Sequence, residues 1–202
     1  MLRSRLLRVG FLMAMPVVAC AAQSTGSPVF QAPYRAFARN EIAVSLSEPS
    51  AGFELEGSYR STLTSTIDLG LRAGFHSGPG PDSQTDALLG ADLRARLVTH
   101  TESFPLDASA TVGLGIESGH GATVDRLPIG VTMGRRVLIE GSAISLVPYA
   151  QPVLTLLFGN ESGTDLSLGF GVDARVTPRL DLRFSAAIGN MSGIGFTAAF
   201  LH

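Results

Sequence analysis

The chain has 202 residues, room for one domain of ordinary size behind a short leader, and no break in composition marks a second. Only 16% of its residues are charged, 45% are hydrophobic and 23 are glycine, which argues against a disordered chain and for a sheet-rich, lipid-tolerant one. All 15 basic residues are Arg, and the net charge of −2 leaves no basic footprint, so no nucleic-acid partner is expected.

Residues 1–22 have the layout of a secretory signal peptide: Arg3, Arg5 and Arg8, then the apolar run Val9 to Ala19, then the small residues Ala19, Ala21 and Ala22. The apolar run falls short of the roughly 20 residues that cross a bilayer as a helix. The only cysteine, Cys20, follows Val17-Val18-Ala19 in a lipobox-like arrangement. Two outcomes stay open: lipidation of Cys20, or ordinary cleavage after Ala21 or Ala22 with Cys20 discarded. Residues 23–36 are polar, contain two prolines and show no periodicity, and are expected to form a linker.

From residue 37 to 202 the pattern alternates with a period of two, the signature of strands with two unlike faces. A first strand is expected over Glu41 to Ser47, and a second where Phe53, Leu55, Gly57 and Tyr59 oppose Glu54, Glu56, Ser58 and Arg60. Ile67, Leu69, Leu71, Ala73 and Phe75 then oppose Asp68, Gly70, Arg72, Gly74 and His76. Ala87, Leu89, Ala91, Leu93 and Ala95 oppose Asp86, Gly90, Asp92, Arg94 and Arg96, with Leu88 out of step. Residues 106–117 alternate likewise, residues 125–139 less cleanly, and residues 143–158 are apolar on both faces with Pro148 and Pro152, which suggests an end or a locally unpaired position. Three more strands follow, ending with Ile194, Phe196, Ala198 and Phe200. The expectation is an all-β, single antiparallel up-and-down transmembrane barrel of about ten strands, with eight as the alternative. Both termini would lie on the periplasmic side, and the longest connections would be the odd-numbered ones.

Several strands run to ten or more residues, longer than the five or six usual in soluble sheets and near the 9 to 11 that a tilted strand needs to cross lipid. The apolar face is therefore expected to meet lipid and the charged face to line the lumen. Glu54, Glu56, Arg60, Asp68, Arg72, Asp92, Arg94, Arg96, Asp173, Arg175 and Arg183 would form a lumenal charge network, with Gly and Ser leaving room for the long Arg side chains. A soluble periplasmic barrel or sandwich, with the charged face in water, is the competing reading.

The leader, the repeated hairpins, the turn Val176-Thr177-Pro178-Arg179-Leu180-Asp181-Leu182-Arg183-Phe184 and the final alternating strand together resemble the small outer-membrane β-barrel proteins of Gram-negative-type bacteria. The resemblance implies an exported, monomeric protein held in outer-membrane lipid and inserted by the barrel-assembly machinery, which reads the last strand. The chain departs from that family in ending with Leu201 and His202 after the aromatic Phe200, and in having no Trp and three Tyr, so its aromatic girdles depend on Phe.

No Walker loop, HExxH or GxSxG occurs, and the pairs Gly113/Gly115 and Gly169/Gly171 read as small inward strand positions rather than a dinucleotide fingerprint. No cofactor, metal or catalytic residue is therefore assigned. A rim hydrolase, the second alternative, would draw on His76, Asp82, Asp86, Glu117, Ser118, His120, Asp125, Glu161 and Asp165 at the outer end. About ten strands with large charged groups inside would be too narrow for a wide porin, which leaves a structural or interaction role or small-solute conductance.

Overall fold

The computed structural model describes residues 24–33, 39–50, 52–80, 84–119 and 121–202. The leader and Cys20 lie outside the described residues.

The alternating stretches form β1 (Glu41–Pro49), β2 (Phe53–Thr62), β3 (Ile67–Ser77), β4 (Thr85–Val98), β5 (Asp107–Gly119), β6 (Ala122–Gly134), the two-residue β7 (Val137–Leu138), β8 (Ser145–Gly159), β9 (Gly163–Thr177), β10 (Leu180–Gly189) and β11 (Gly193–Leu201). Apart from β6 and β7, each strand pairs antiparallel with its neighbour in sequence; β1 pairs with β11 and β6 with β8, so ten strands close into a barrel. The short β7 pairs with β8 beside that seam. Closure leaves every long strand a partner on both sides, the condition for a sheet to sit where water cannot satisfy its backbone.

Closure also explains the strand with two apolar faces. β8 is an interior strand, and its ladder to β6 breaks between the pairs Gly130↔Val153 and Met133↔Ala150, where Pro152 has no N–H to donate. Toward β9 the same strand pairs without interruption from Ser145 to Leu157. The charged hairpin at the far end of the chain is shaped by another irregularity: a register shift between Leu180 and Asp181 sets Asp181 opposite Arg175.

Glu41 and Leu201 pair at one end of the barrel, here the terminal end. The hairpins β1–β2, β3–β4, β5–β6, β8–β9 and β10–β11 turn at the distal end. Loop length does not follow the expected rule, because two of the longest connections, 99–106 and 135–144, belong to the terminal end. Local structure accounts for their length: Thr101 N–H closes a turn on Phe104 O at 2.8 Å, and β7 occupies part of 135–144.

At the C-terminus Phe200 points outward and Leu201 inward, and the Leu201 and His202 N–H groups bond to Arg179 O and Asn40 O at 2.8 and 3.0 Å. The residues that follow the last aromatic thus fasten the terminal rim. Residues 24–33, part of the stretch expected to link leader and barrel, lie inside the barrel.

Candidate functional site

The inward positions of neighbouring strands bring opposite charges together in two groups. In the first, Arg60 bridges β3 and β4, donating to Asp68 at 2.5 Å and Asp92 at 2.6 Å. Arg94 donates to both oxygens of Asp68, at 3.2 and 3.0 Å, and Arg72 lies 3.7 Å from Glu56 and 3.8 Å from Asp92. Gly70 supplies the space, since a Cβ there would stand 2.4 Å from the Arg60 guanidinium and 2.6 Å from Asp92. In the second group Arg183 grips Glu41 in two-point fashion at 2.9 and 2.6 Å and lies 3.4 Å from Asp173, while Arg175 grips Asp181 at 2.8 and 2.9 Å. Paired forks of this kind fix geometry as well as charge.

Residues 24–33 occupy the remaining bore. The Ser27 hydroxyl donates to Glu56 at 2.8 Å, Gln31 donates to Glu41, and the Ala32 N–H donates to Asp173 at 3.2 Å. From the wall, the Ser185 hydroxyl donates to Pro28 O at 2.7 Å. The one large apolar side chain of the segment, Phe30, packs with Ala32 against Val147, Tyr149, Val153 and Ala187. This is the purpose of the second apolar face of β8. Glycines clear the path: a Cβ at Gly115 would meet Ser24 O at 1.3 Å, one at Gly169 the Phe30 ring at 2.5 Å, one at Gly90 Ser24 Oγ at 2.3 Å and one at Gly195 Pro28 O at 2.9 Å. Where the segment bends, Gly26 takes φ of 86° against the Arg126 side chain. A cavity of about 10 Å³ remains among Ser24, Gln31, Arg60, Arg72, Asp92 and Arg94, the room of about one water.

At the distal end of the bore, β3, β4 and β5 bring His76, Asp86 and Glu117 within 4.8 Å of one another. His76 Nδ1 is 3.3 Å from Glu117 Oε1, and Arg126 of β6 is 2.6 Å from Glu117 Oε2.

The outside has the opposite character. Leu93 and Phe170 are 44% and 42% exposed, whereas Arg72 and Arg94 are 9% and 4% exposed. Ile42, Leu71, Leu114, Leu166, Phe184 and Phe196 continue this apolar surface across the sheet. A water-soluble barrel would have these sides exchanged, because apolar area is stabilised away from water and unpaired charge is not. The chain is a transmembrane β-barrel.

No protein-family model matches this barrel, and no curated protein matches it. Solved structures of similar fold include the β domain of the Bordetella autotransporter Brka, 14% identical with a TM-score of 0.47, covering 81% of this chain and 98% of that one. They also include the KdgM porin, 7% identical with a TM-score of 0.43, covering 80% and 99%. The Acinetobacter baumannii outer membrane protein Omp33 is 14% identical with a TM-score of 0.40, covering 81% and 98%. At such values the reading of this barrel rests on its own residues.

Of the residues expected in the lumen, Glu54, Glu56, Arg60, Asp68, Arg72, Asp92, Arg94, Asp173 and Arg183 are buried within it. Arg175 and Arg96 are half-buried nearer the terminal rim, Arg175 against Asp181. Sequence reasoning passed over Glu41 and Asp181, which stand at or next to strand starts where alternation has barely begun, yet they anchor Arg183 and Arg175. Of the rim residues, His76, Asp86 and Glu117 converge, while Asp82 and His120 lie outside the described residues.

Proposed function

We propose that this chain is an integral protein of the bacterial outer membrane whose lumen is held closed by its own residues 24–33 and passes small ions only when that segment leaves. The observation that carries the reading is the burial of this segment among paired charges, beside a cavity with room for about one water. A barrel of about eight strands is already filled by side chains; ten strands leave surplus width, and here the surplus is taken by backbone. In this reading residues 1–22 direct export and are removed, the barrel-assembly machinery inserts a monomer, and the surrounding lipid is its permanent partner. Acidic groups outnumber basic ones along the bore, so the opened path favours cations.

Planar-bilayer recording tests the reading directly. The intact protein is expected to be silent or to open rarely, and deletion of residues 24–33 to give steady, cation-selective steps. Steady conduction by the intact protein, unchanged by the deletion, would contradict it. A folded deletion variant that stays silent would place the protein's role in its surface instead.

A further inference from the structure

The distal cluster lies beyond the paired charges deeper in the bore and meets residues 24–33 through Arg126, which pairs with Glu117 and packs on Gly26. We propose that His76, Asp86 and Glu117 form a binding site for a divalent transition-metal ion at the distal mouth of the lumen.

Three adjacent strands supply one donor each, all from inward positions, so the spacing is set by the ladder rather than by loops: His76 pairs with Asp86 across β3 and β4, and Glu117 follows on β5. The distance from His76 Nδ1 to Glu117 Oε1 is 3.3 Å. That is long for a charge-assisted hydrogen bond, which closes to about 2.7–2.9 Å. This one edge is close to that of a tetrahedron, about 3.3–3.4 Å, around an ion held by bonds of about 2.0–2.1 Å, and the other two lie within 4.8 Å.

Glu117 is held by a group outside the triad, and the other two donors lie close over glycine backbone. Arg126 takes Glu117 Oε2 at 2.6 Å and so turns Oε1 toward the imidazole. Asp86 packs on Gly119, where a Cβ would come within 1.6 Å of its Oδ1. His76 Nε2 lies over Gly52, whose φ of 93° and contact with Ser77 O leave no room for a side chain. An outer partner such as Arg126, which orients a ligating carboxylate, is a usual feature of metal sites.

Charge points the same way. Glu54 stands opposite His76 in the β2–β3 ladder, kept by the Ser47 hydroxyl at 2.9 Å. Glu54, Asp86 and Glu117 gather three carboxylates at this end of the bore, Glu117 paired with Arg126, a setting that attracts a cation. One imidazole nitrogen with two carboxylate oxygens suits Zn²⁺ and its first-row neighbours rather than Ca²⁺ or Mg²⁺, which take oxygen ligands alone. Water from the open mouth would complete the coordination.

The test is a calorimetric titration of the folded, detergent-solubilised mature protein with Zn²⁺; with residues 1–22 removed it carries no thiol to compete. One saturable Zn²⁺ per chain is expected, weakened at least tenfold by His76→Ala and by Glu117→Gln. His100→Ala, which alters the His100–Asp107 pair at the terminal end, should bind as the parent does. Co²⁺ should give visible absorption that His76→Ala removes. Heat-modifiable gel migration certifies each variant as folded, and a His76→Ala that fails it is replaced by His76→Gln under the same criterion. No saturable Zn²⁺ binding, binding unchanged by the His76 variant, or equal weakening by His100→Ala would overturn the site.

Discussion

Arg183 shows what one side chain does inside a closed barrel. It faces Glu41 from β1, Asp173 from β9 and Asp181 from its own strand, and so ties the first strand to two of the last. Arg183→Met leaves Glu41 buried without its two-point partner, and removing one member of such a pair costs about 3–5 kcal/mol. The double variant Glu41→Gln/Arg183→Met should recover most of that loss. Urea unfolding from lipid vesicles measures both, and a double variant as unstable as the single one would show that Glu41 is not the group that suffers. These charges were legible in the sequence as a face, because alternation marks the inward parity, but their partners were not. Pairing across the bore depends on register and on the shift at Leu180/Asp181, which a single strand's pattern does not contain.

Among the elements, residues 24–33 and β8 explain each other. A polar, proline-containing stretch without periodicity reads as a linker because polar segments are ordinarily left in water. Here the interior is itself polar, so Ser27 and Gln31 find buried acceptors and only Phe30 needs an apolar surface, which β8 provides. The small positions Gly113, Gly115 and Gly169 were legible as inward glycines; that backbone, rather than Arg side chains, would fill the space beside them was not. Gly115→Val should drive the segment out, since even a Cβ at Gly115 overlaps Ser24 O. In the mature protein, which has no cysteine of its own, Ser27→Cys is expected to resist a membrane-impermeant maleimide and to react once Gly115→Val is added. Equal reactivity in both proteins would contradict the burial of the segment.

For the whole molecule the decisive quantity is the direction in which the two faces point. Strand number, closure and the apolar belt were all within reach of the sequence, because the period of two persists over lengths that suit a bilayer and few soluble sheets. The lengths of the end connections were not, because β7 and the turn at Thr101 arise from pairings outside the main ladder. An outward Leu114→Arg, near the middle of β5, should lower folding stability in vesicles by about 2–4 kcal/mol. A conservative inward change such as Ser109→Thr should leave lipid insertion intact.

The central claim is tested most directly by nitroxide labels read for collision with oxygen, which concentrates in lipid, and with a water-soluble nickel chelate. In reconstituted protein, labels at Leu71, Leu93, Leu114 and Phe170 should be open to oxygen and closed to nickel, while labels at Thr111 and Ser167 should be shielded from lipid. Nickel-accessible labels at Leu93 and Phe170 would put the apolar face in water and contradict the account.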